Sequence, residues 1–207
     1  NQLQSFTGLS EAYLRKTHFR IQDQRFMKEL LRSSGKVVGR FDGRYLGEDY
    51  DDAGETSESD PSSYGISSAY VSAQHHYLHN RIGVKRDKEY RIFYSEAFDR
   101  WNWTSSAQEK WLEASPISVV GRLSKGLRQN PDLQLFVSNG YYDLATPFFA
   151  TELALTRPRM DPKRINMHYY EAGHMMYTHK PSFERLAEDL RQFVLNAMNK
   201  PKTQAKD

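Results

Sequence analysis

Cysteine is absent from these 207 residues. The chain therefore has no disulfide framework and no thiolate metal site, and it gives no indication of its redox compartment. No apolar run approaches the roughly 20 residues that a membrane-spanning helix needs. The first ten residues, NQLQSFTGLS, contain neither a basic n-region nor an apolar h-region, so they do not form a signal peptide. We expect a cytosolic protein or one whose N-terminal segment has been removed.

The chain also lacks a strong charge of either sign. Its 29 basic and 26 acidic residues are mixed along the sequence and leave a net charge of only +3. This balance does not indicate a nucleic-acid partner. Hydrophobic residues make up 38% of the chain and aromatic residues 13%, which is enough for a packed core. The length suits one domain, or one domain with a sizeable insertion.

The first part of the chain, residues 1–115, is predicted to be a mainly helical region. Apolar residues recur at near-helical spacing from Leu9 to Arg32, with Ser10 as a possible N-cap and Gly35 beyond the end. The run KVVGRFDGRYLG then predicts a hairpin or an edge segment. Residues 47–63 are acidic and rich in serine, which predicts a mobile surface loop.

A second helix is predicted over residues 67–82, and it carries a group of histidines. His75 and His79 are one helical turn apart, a spacing at which two imidazoles can share a metal ion. A metalloprotease helix of the HExxH type would place glutamate beside the first histidine, but this chain has His76 there. Two interpretations therefore stay open, namely a metal site and ordinary surface histidines.

The segment YRIFYSEAFDRWNW, residues 90–103, is dense in aromatic side chains. Such a cluster predicts core packing, because aromatic rings bury the most area per residue, although it can also form one wall of a substrate cleft. A further helix is predicted from Pro116 to Gln129.

The closing unit, residues 116–200, carries the strongest functional pattern, and a polar tail, residues 201–207, follows it. Two apolar runs, LQLFVSNGYYDLATP and RINMHYYEAGHMMY, predict strands at 133–138 and 165–170. Each strand ends at a turn, where Asp143 and His174 stand, and is followed by a predicted helix, at 147–155 and 181–197. This layout predicts the α/β class with a parallel sheet, in which catalytic groups lie at the carboxyl ends of the strands.

An acid followed later by a histidine is the order in which α/β-hydrolases present the last two members of a Ser, Asp, His triad. The ends of adjacent parallel strands lie about 5 Å apart, so the two side chains are expected to meet. The nucleophile motif G-x-S-x-G is absent from the chain, and Ser138 and Ser63 lack its context. On these residues alone, a triad and two ordinary turn residues both remain open.

Two segments near the end, NGYYDLATPFFATELAL and YYEAGHMMYTHKPSFERLAEDLRQFV, resemble the C-terminal blocks of the serine carboxypeptidase family, especially its bacterial members. The segment FTGLSEAYLRKTHFRIQDQRFMKELLRSSGKVVGRFDGRY resembles the family's insertion region. The resemblance implies the C-terminal part of an α/β-hydrolase fold with a helical cap, and hydrolysis of C-terminal peptide bonds. It implies that Asp143 is the triad acid, that His174 is the general base and acid, and that Met175 shapes the substrate cleft. It implies no cofactor.

The family's serine motif, its oxyanion-hole glycines and its carboxylate-recognising acidic pair belong to an N-terminal half that this chain does not contain. The resemblance therefore implies a C-terminal fragment that is inactive as a peptidase by itself. Its expected partners are a peptide substrate and either the missing N-terminal half or a second copy of the chain. The family is commonly secreted, periplasmic or vacuolar, so the resemblance favours a location outside the cytosol.

Two other hypotheses come from different classes of protein. In the first, the chain is a non-catalytic interaction module derived from an α/β-hydrolase, with the aromatic segment 90–103 as its binding surface. In the second, it is a metal-dependent enzyme that uses His75, His79 and an acid.

Overall fold

The computed structural model describes residues 2–85, 90–92, 94–101, 118–157 and 160–199. Contacts divide the chain into two compact units, residues 1–66 together with 132–207, and residues 67–131. None of the helices in the described ranges is long and apolar enough to cross a membrane. Several predicted features lie outside these ranges: the boundary near residue 115, Trp103, Pro116 and the tail at 201–207.

The first unit opens with three short helices, α1 (Gln2–Thr7), α2 (Glu11–Lys16) and α3 (Asp23–Glu29). Ser10 caps α2 as predicted, because its side chain accepts a hydrogen bond from Tyr13 N. The prediction of one helix from Leu9 to Arg32 is wrong. The chain leaves the helix after Lys16, since His18 and Phe19 adopt positive φ angles of 51° and 60°.

A short hairpin follows a 3₁₀ turn at Arg32–Ser34. Strands β1 (Val37–Val38) and β2 (Leu46–Gly47) pair antiparallel, which confirms the predicted hairpin. Both residues of β1 are buried. A four-residue helix, α4 (Pro61–Tyr64), lies against β2 and is capped at its N-terminus by Asp60.

The acidic segment between β2 and α4 is bound to α3 and to the turn after it by ion pairs and a hydrogen bond. Lys28 Nζ lies 2.5 Å from Asp49 Oδ2, and both side chains are almost fully buried, at 2% and 3% exposure. Arg25 pairs with Glu55 at 2.6 Å, and Arg32 donates a hydrogen bond to the carbonyl oxygen of Gly54. The mobility expected of this segment stays a prediction.

The second unit contains helix α5 (Ser67–His76), a π-helical stretch at Tyr77–Ile82, and helices α6 (Ser95–Arg100) and α7 (Val120–Gln129). Together, α5 and the π-helical stretch cover the range predicted for one helix. Gly83, with a φ of 74°, ends this stretch in the left-handed conformation that glycine adopts readily.

The closing part of the first unit is a βαβα arrangement. Strand β3 (Leu135–Gly140) pairs in parallel with β4 (Ile165–Tyr170), in the register Leu135 to Ile165 through Gly140 to Tyr170. Helix α8 (Phe148–Leu155) connects the strands, and α9 (Lys180–Asn199) follows β4. Two 3₁₀ turns, Pro162–Arg164 and Met176–Thr178, precede β4 and α9. The described residues therefore show the predicted α/β class, with a small parallel sheet.

Helices α8 and α9 contact opposite faces of β4, because neighbouring strand residues point in opposite directions. The Tyr169 hydroxyl donates a hydrogen bond to Glu152 on α8 at 2.5 Å. The Tyr170 hydroxyl donates to Asp189 on α9 at 2.9 Å, and the Tyr170 side chain is almost fully buried. Tyr170, Ala172 and Met176 form a buried cluster against Leu186, which fixes the turn that follows β4.

Candidate active site

Asp143 and His174 meet at the carboxyl ends of the two parallel strands. Asp143 lies three residues beyond the end of β3, and His174 lies four residues beyond the end of β4. The distance between His174 Nδ1 and Asp143 Oδ2 is 2.9 Å, which is a hydrogen bond. The predicted meeting of these two side chains is therefore confirmed, although their catalytic roles are proposals.

The Asp143 carboxylate is held by donors on both oxygens. Oδ1 accepts hydrogen bonds from the backbone N–H groups of Ala145, at 2.8 Å, and Thr146, at 2.9 Å. Oδ2 accepts from the Thr146 hydroxyl, at 2.6 Å, and from His174. Burial raises the pKa of Asp143, but the hydrogen bonds from Thr146 and His174 outweigh it and hold the pKa below its ordinary value. The carboxylate is thus fixed in its charged form.

Asp143 and His174 differ in how far their side chains are buried. The Asp143 side chain is 5% exposed, whereas the His174 side chain is 40% exposed. A buried acid that holds one ring nitrogen of a more open imidazole can orient the other nitrogen toward a reacting group. Within the described residues, no serine is hydrogen-bonded to His174.

Two glycines allow the turns to approach closely. A Cβ atom built at Gly140 would lie 2.3 Å from the carbonyl oxygen of Gly173, and one built at Gly173 would lie 2.2 Å from the carbonyl oxygen of Phe41. Both distances are below any that real Cβ atoms show, and the obstructing atoms belong to the backbone. A side chain at Gly140 would therefore push the two turns apart, and one at Gly173 would push the histidine turn away from the hairpin loop.

The hairpin loop, residues 40–43, contacts both turns of the site. The His174 amide donates to the carbonyl oxygen of Phe41 at 2.6 Å, and the two rings lie 5.3 Å apart. On the other turn, Leu144 N donates to Arg40 O at 3.0 Å, and Gly43 N donates to Tyr142 O at 2.8 Å. The hairpin loop therefore holds the acid turn and the histidine turn together.

Two carboxylates shape the hairpin loop itself. Asp60, which caps α4, accepts hydrogen bonds from the backbone N–H groups of Arg40 and Phe41. Asp42 binds Arg44 through two bonds, of 2.9 Å and 2.7 Å, a bidentate geometry that fixes both partners. Arg44 also donates to the carbonyl oxygen of Glu171, so it links the hairpin to the turn after β4.

Met175, which the resemblance assigns to the substrate cleft, directly follows the histidine. This residue lines a small cavity together with Phe41, Tyr45 and Thr178, among others. Met175 therefore lies next to His174 and lines this small cavity, and its role in a substrate cleft stays a prediction.

Thr146 and Phe41 are site residues that the sequence did not reveal as such. Thr146 had a local signal, because an aspartate that accepts hydrogen bonds from the N–H groups two and three positions ahead forms a recognised turn, here D-L-A-T. Phe41 had none, since more than 130 residues separate it from His174.

The histidines of the second unit lie in a different arrangement. The rings of His75 and His79 stack at 6.3 Å with an interplanar angle of 11°, and Tyr90 contacts His75 edge-on. Within the described ranges, no three His, Asp or Glu side chains are grouped closely enough to hold a metal ion. The hypothesis of a metal-dependent enzyme stays untested.

No protein-family model, curated protein or solved structure matches this chain. The resemblance to serine carboxypeptidases rests on the sequence segments quoted above.

Proposed function

We propose that this chain is the C-terminal portion of a serine-type carboxypeptidase with an α/β-hydrolase fold, in which Asp143 is the triad acid and His174 the general base. The observation that carries the proposal is the 2.9 Å hydrogen bond between Asp143 and His174 at the carboxyl ends of adjacent parallel strands. It is supported by the acid-before-histidine order and by the segments that resemble the family.

In the proposed mechanism, the Asp143–His174 pair would carry the proton transfers of acyl transfer. With His174 Nδ1 bonded to Asp143, Nε2 is the nitrogen that takes the proton of a serine hydroxyl as that oxygen attacks the scissile carbonyl. The charged Asp143 then stabilises the imidazolium. His174 returns the proton to the leaving amino acid, which departs as the acyl-enzyme forms. The same nitrogen activates the water that releases the shortened peptide.

The nucleophile and the oxyanion hole are proposed to come from protein outside these 207 residues. The sequence contains no G-x-S-x-G motif, and a triad without its serine and oxyanion donors retains little hydrolysis. We therefore expect no peptidase activity from this chain alone. Cleavage of an N-blocked dipeptide by the purified chain would contradict this expectation.

The described part of the sheet supports the proposal that this chain associates with another polypeptide. Within the described residues, β3 and β4 form a sheet of two strands, so each strand has a paired edge and an outer edge. Large apolar side chains on the flanking helices are also exposed, among them Phe149 and Leu153 on α8 and Met198 on α9. Exposed strand edges and apolar faces favour association. The expected partner is the nucleophile-bearing half or a second copy, and light scattering should show a species larger than one chain.

The decisive experiment uses the complete natural polypeptide that contains these residues. It should react with a serine-directed fluorophosphonate probe and release the C-terminal residue of an N-blocked dipeptide. His174→Ala should abolish both reactions, and Asp143→Asn should reduce turnover by about 10⁴-fold, because the wrong imidazole tautomer is then held. His76→Ala, in the second unit, is the matched control. Failure of the wild-type polypeptide to react with the probe would refute the proposal.

A second candidate function is a non-catalytic interaction module. The observation that favours it is the exposure of aromatic side chains in the second unit, at 65% for Phe98 and 64% for Trp101. Exposed aromatic residues are common at protein interfaces. This candidate predicts a polypeptide that does not react with the fluorophosphonate probe but loses a binding partner when Phe98 and Trp101 are changed to Ala.

A further inference from the structure

The Thr146 hydroxyl lies against both members of the Asp143–His174 pair. Its Oγ1 is 2.6 Å from Asp143 Oδ2 and 3.2 Å from His174 Nδ1. Because Oδ2 is also 2.9 Å from Nδ1, the three atoms form a closed triangle. The hydroxyl proton points to the carboxylate, which is an acceptor only, so an oxygen lone pair of Thr146 is left to face the Nδ1–H.

The backbone alone does not fix the carboxylate. The N–H groups of Ala145 and Thr146 both bind Oδ1, at 2.8 Å and 2.9 Å. A carboxylate held at one oxygen retains freedom to swing its second oxygen, because the terminal torsion of aspartate is broad. The Thr146 hydroxyl restrains that second oxygen, which is the one that faces His174.

We propose that Thr146 is a positioning residue that turns Asp143 Oδ2 toward His174 and thereby holds the imidazole in its Nδ1–H tautomer. The proposal rests on the proposed hydrolase function, since only a base with a free Nε2 lone pair needs that tautomer. Thr146 acts through Asp143 and does not itself take part in bond making.

Nuclear magnetic resonance of the 207-residue chain tests this without requiring activity. In the wild-type chain, the ¹⁵N chemical shifts of His174 should report protonation at Nδ1 when the imidazole is neutral. Thr146→Val keeps the shape of the side chain but removes the hydroxyl, so the shifts should move toward a mixture of both tautomers. The same change should raise the pKa of Asp143, because a hydrogen bond to its charged form is lost.

Two further variants separate positioning from general disturbance. Thr146→Ser keeps the hydroxyl and should restore the wild-type tautomer and the wild-type Asp143 pKa. Thr178→Val removes a hydroxyl that bonds Met175 O in the next turn and makes no bond to Asp143, so it should change neither. Circular dichroism of each variant establishes that it is folded.

An unchanged tautomer in a folded Thr146→Val chain would overturn the proposal. So would a serine variant that behaves like the valine variant. These results are independent of the probe reaction that tests the hydrolase function, because they are measured without a nucleophile. In the complete polypeptide, Thr146→Val should lower kcat by about 10- to 100-fold while leaving KM unchanged, since a misplaced base costs turnover rather than binding.

Discussion

Gly173→Ala is the sharpest test of the close approach between the histidine turn and the hairpin loop. The new Cβ would lie 2.2 Å from the carbonyl oxygen of Phe41, against the 3.0 Å that real Cβ atoms respect. The two backbones must therefore separate by about 0.8 Å or more. That movement lengthens the 2.6 Å hydrogen bond from His174 N to Phe41 O beyond the usual donor–acceptor distances of N–H···O hydrogen bonds.

The expected cost combines two effects. Overpacking of a tightly packed site costs roughly 1–3 kcal/mol, and loss of a backbone hydrogen bond costs about 1 kcal/mol more. The free energy of unfolding should therefore fall by about 2–4 kcal/mol, which for a chain of this size lowers Tm by roughly 5–15 °C. Urea unfolding followed by circular dichroism measures the change, and the His174 amide resonance reports the broken bond.

Gly126→Ala on α7 is the matched control. Its Cβ would meet no atom of the described residues within 4 Å, so the same substitution should be neutral or stabilise the helix by up to about 1 kcal/mol. If Gly173→Ala unfolds at the wild-type urea concentration and leaves the His174 amide unshifted, the reasoning about close approach is refuted.

Two further predictions concern the scaffold. Lys28→Met should lower the free energy of unfolding in urea by about 3–5 kcal/mol, because it leaves the buried Asp49 without its cation. Lys36→Met, at an exposed ion pair, should cost no more than about 1 kcal/mol. Equal costs for the two variants would contradict the stabilising role of the buried ion pair. The hydrogen bond to Glu152, with burial, raises the pKa of Tyr169 to about 12. The neutral phenol is thus favoured by folding, and its contribution to stability is present below about pH 10 and lost as the pH rises toward 12. Ultraviolet titration should show one tyrosinate forming earlier in Glu152→Ala, and an unchanged titration would contradict the assignment.

The closing βαβα arrangement was predictable from sequence because its signals are local. Apolar runs, the turns that end them and the helical periodicity that follows are all written within a few residues of each element. The observed strands and helices accordingly start and end within two residues of the predicted positions. The meeting of Asp143 and His174 then followed from the geometry of adjacent parallel strands.

The first third of the chain was less predictable, because its structure depends on interactions that apolar periodicity does not record. The Thr17 hydroxyl accounts for part of the error at α2, since it bonds the carbonyl oxygens of Tyr13 and Leu14 and so helps to end the helix. The contact between Phe41 and His174 is a second case. It joins residues far apart in sequence, and neither residue carries a local pattern that indicates the other.

The hairpin loop also limits how this protein can be shortened or recombined. A chain that began after residue 47 would keep Asp143 and His174 and both parallel strands, yet it would lack the carbonyl oxygen that receives the His174 amide. Exchange of the helical region for that of another protein would meet the same obstacle unless residues 40–43 and Asp60 were retained. The segment that the family resemblance assigns to a cap therefore also helps to hold Asp143 and His174 in place.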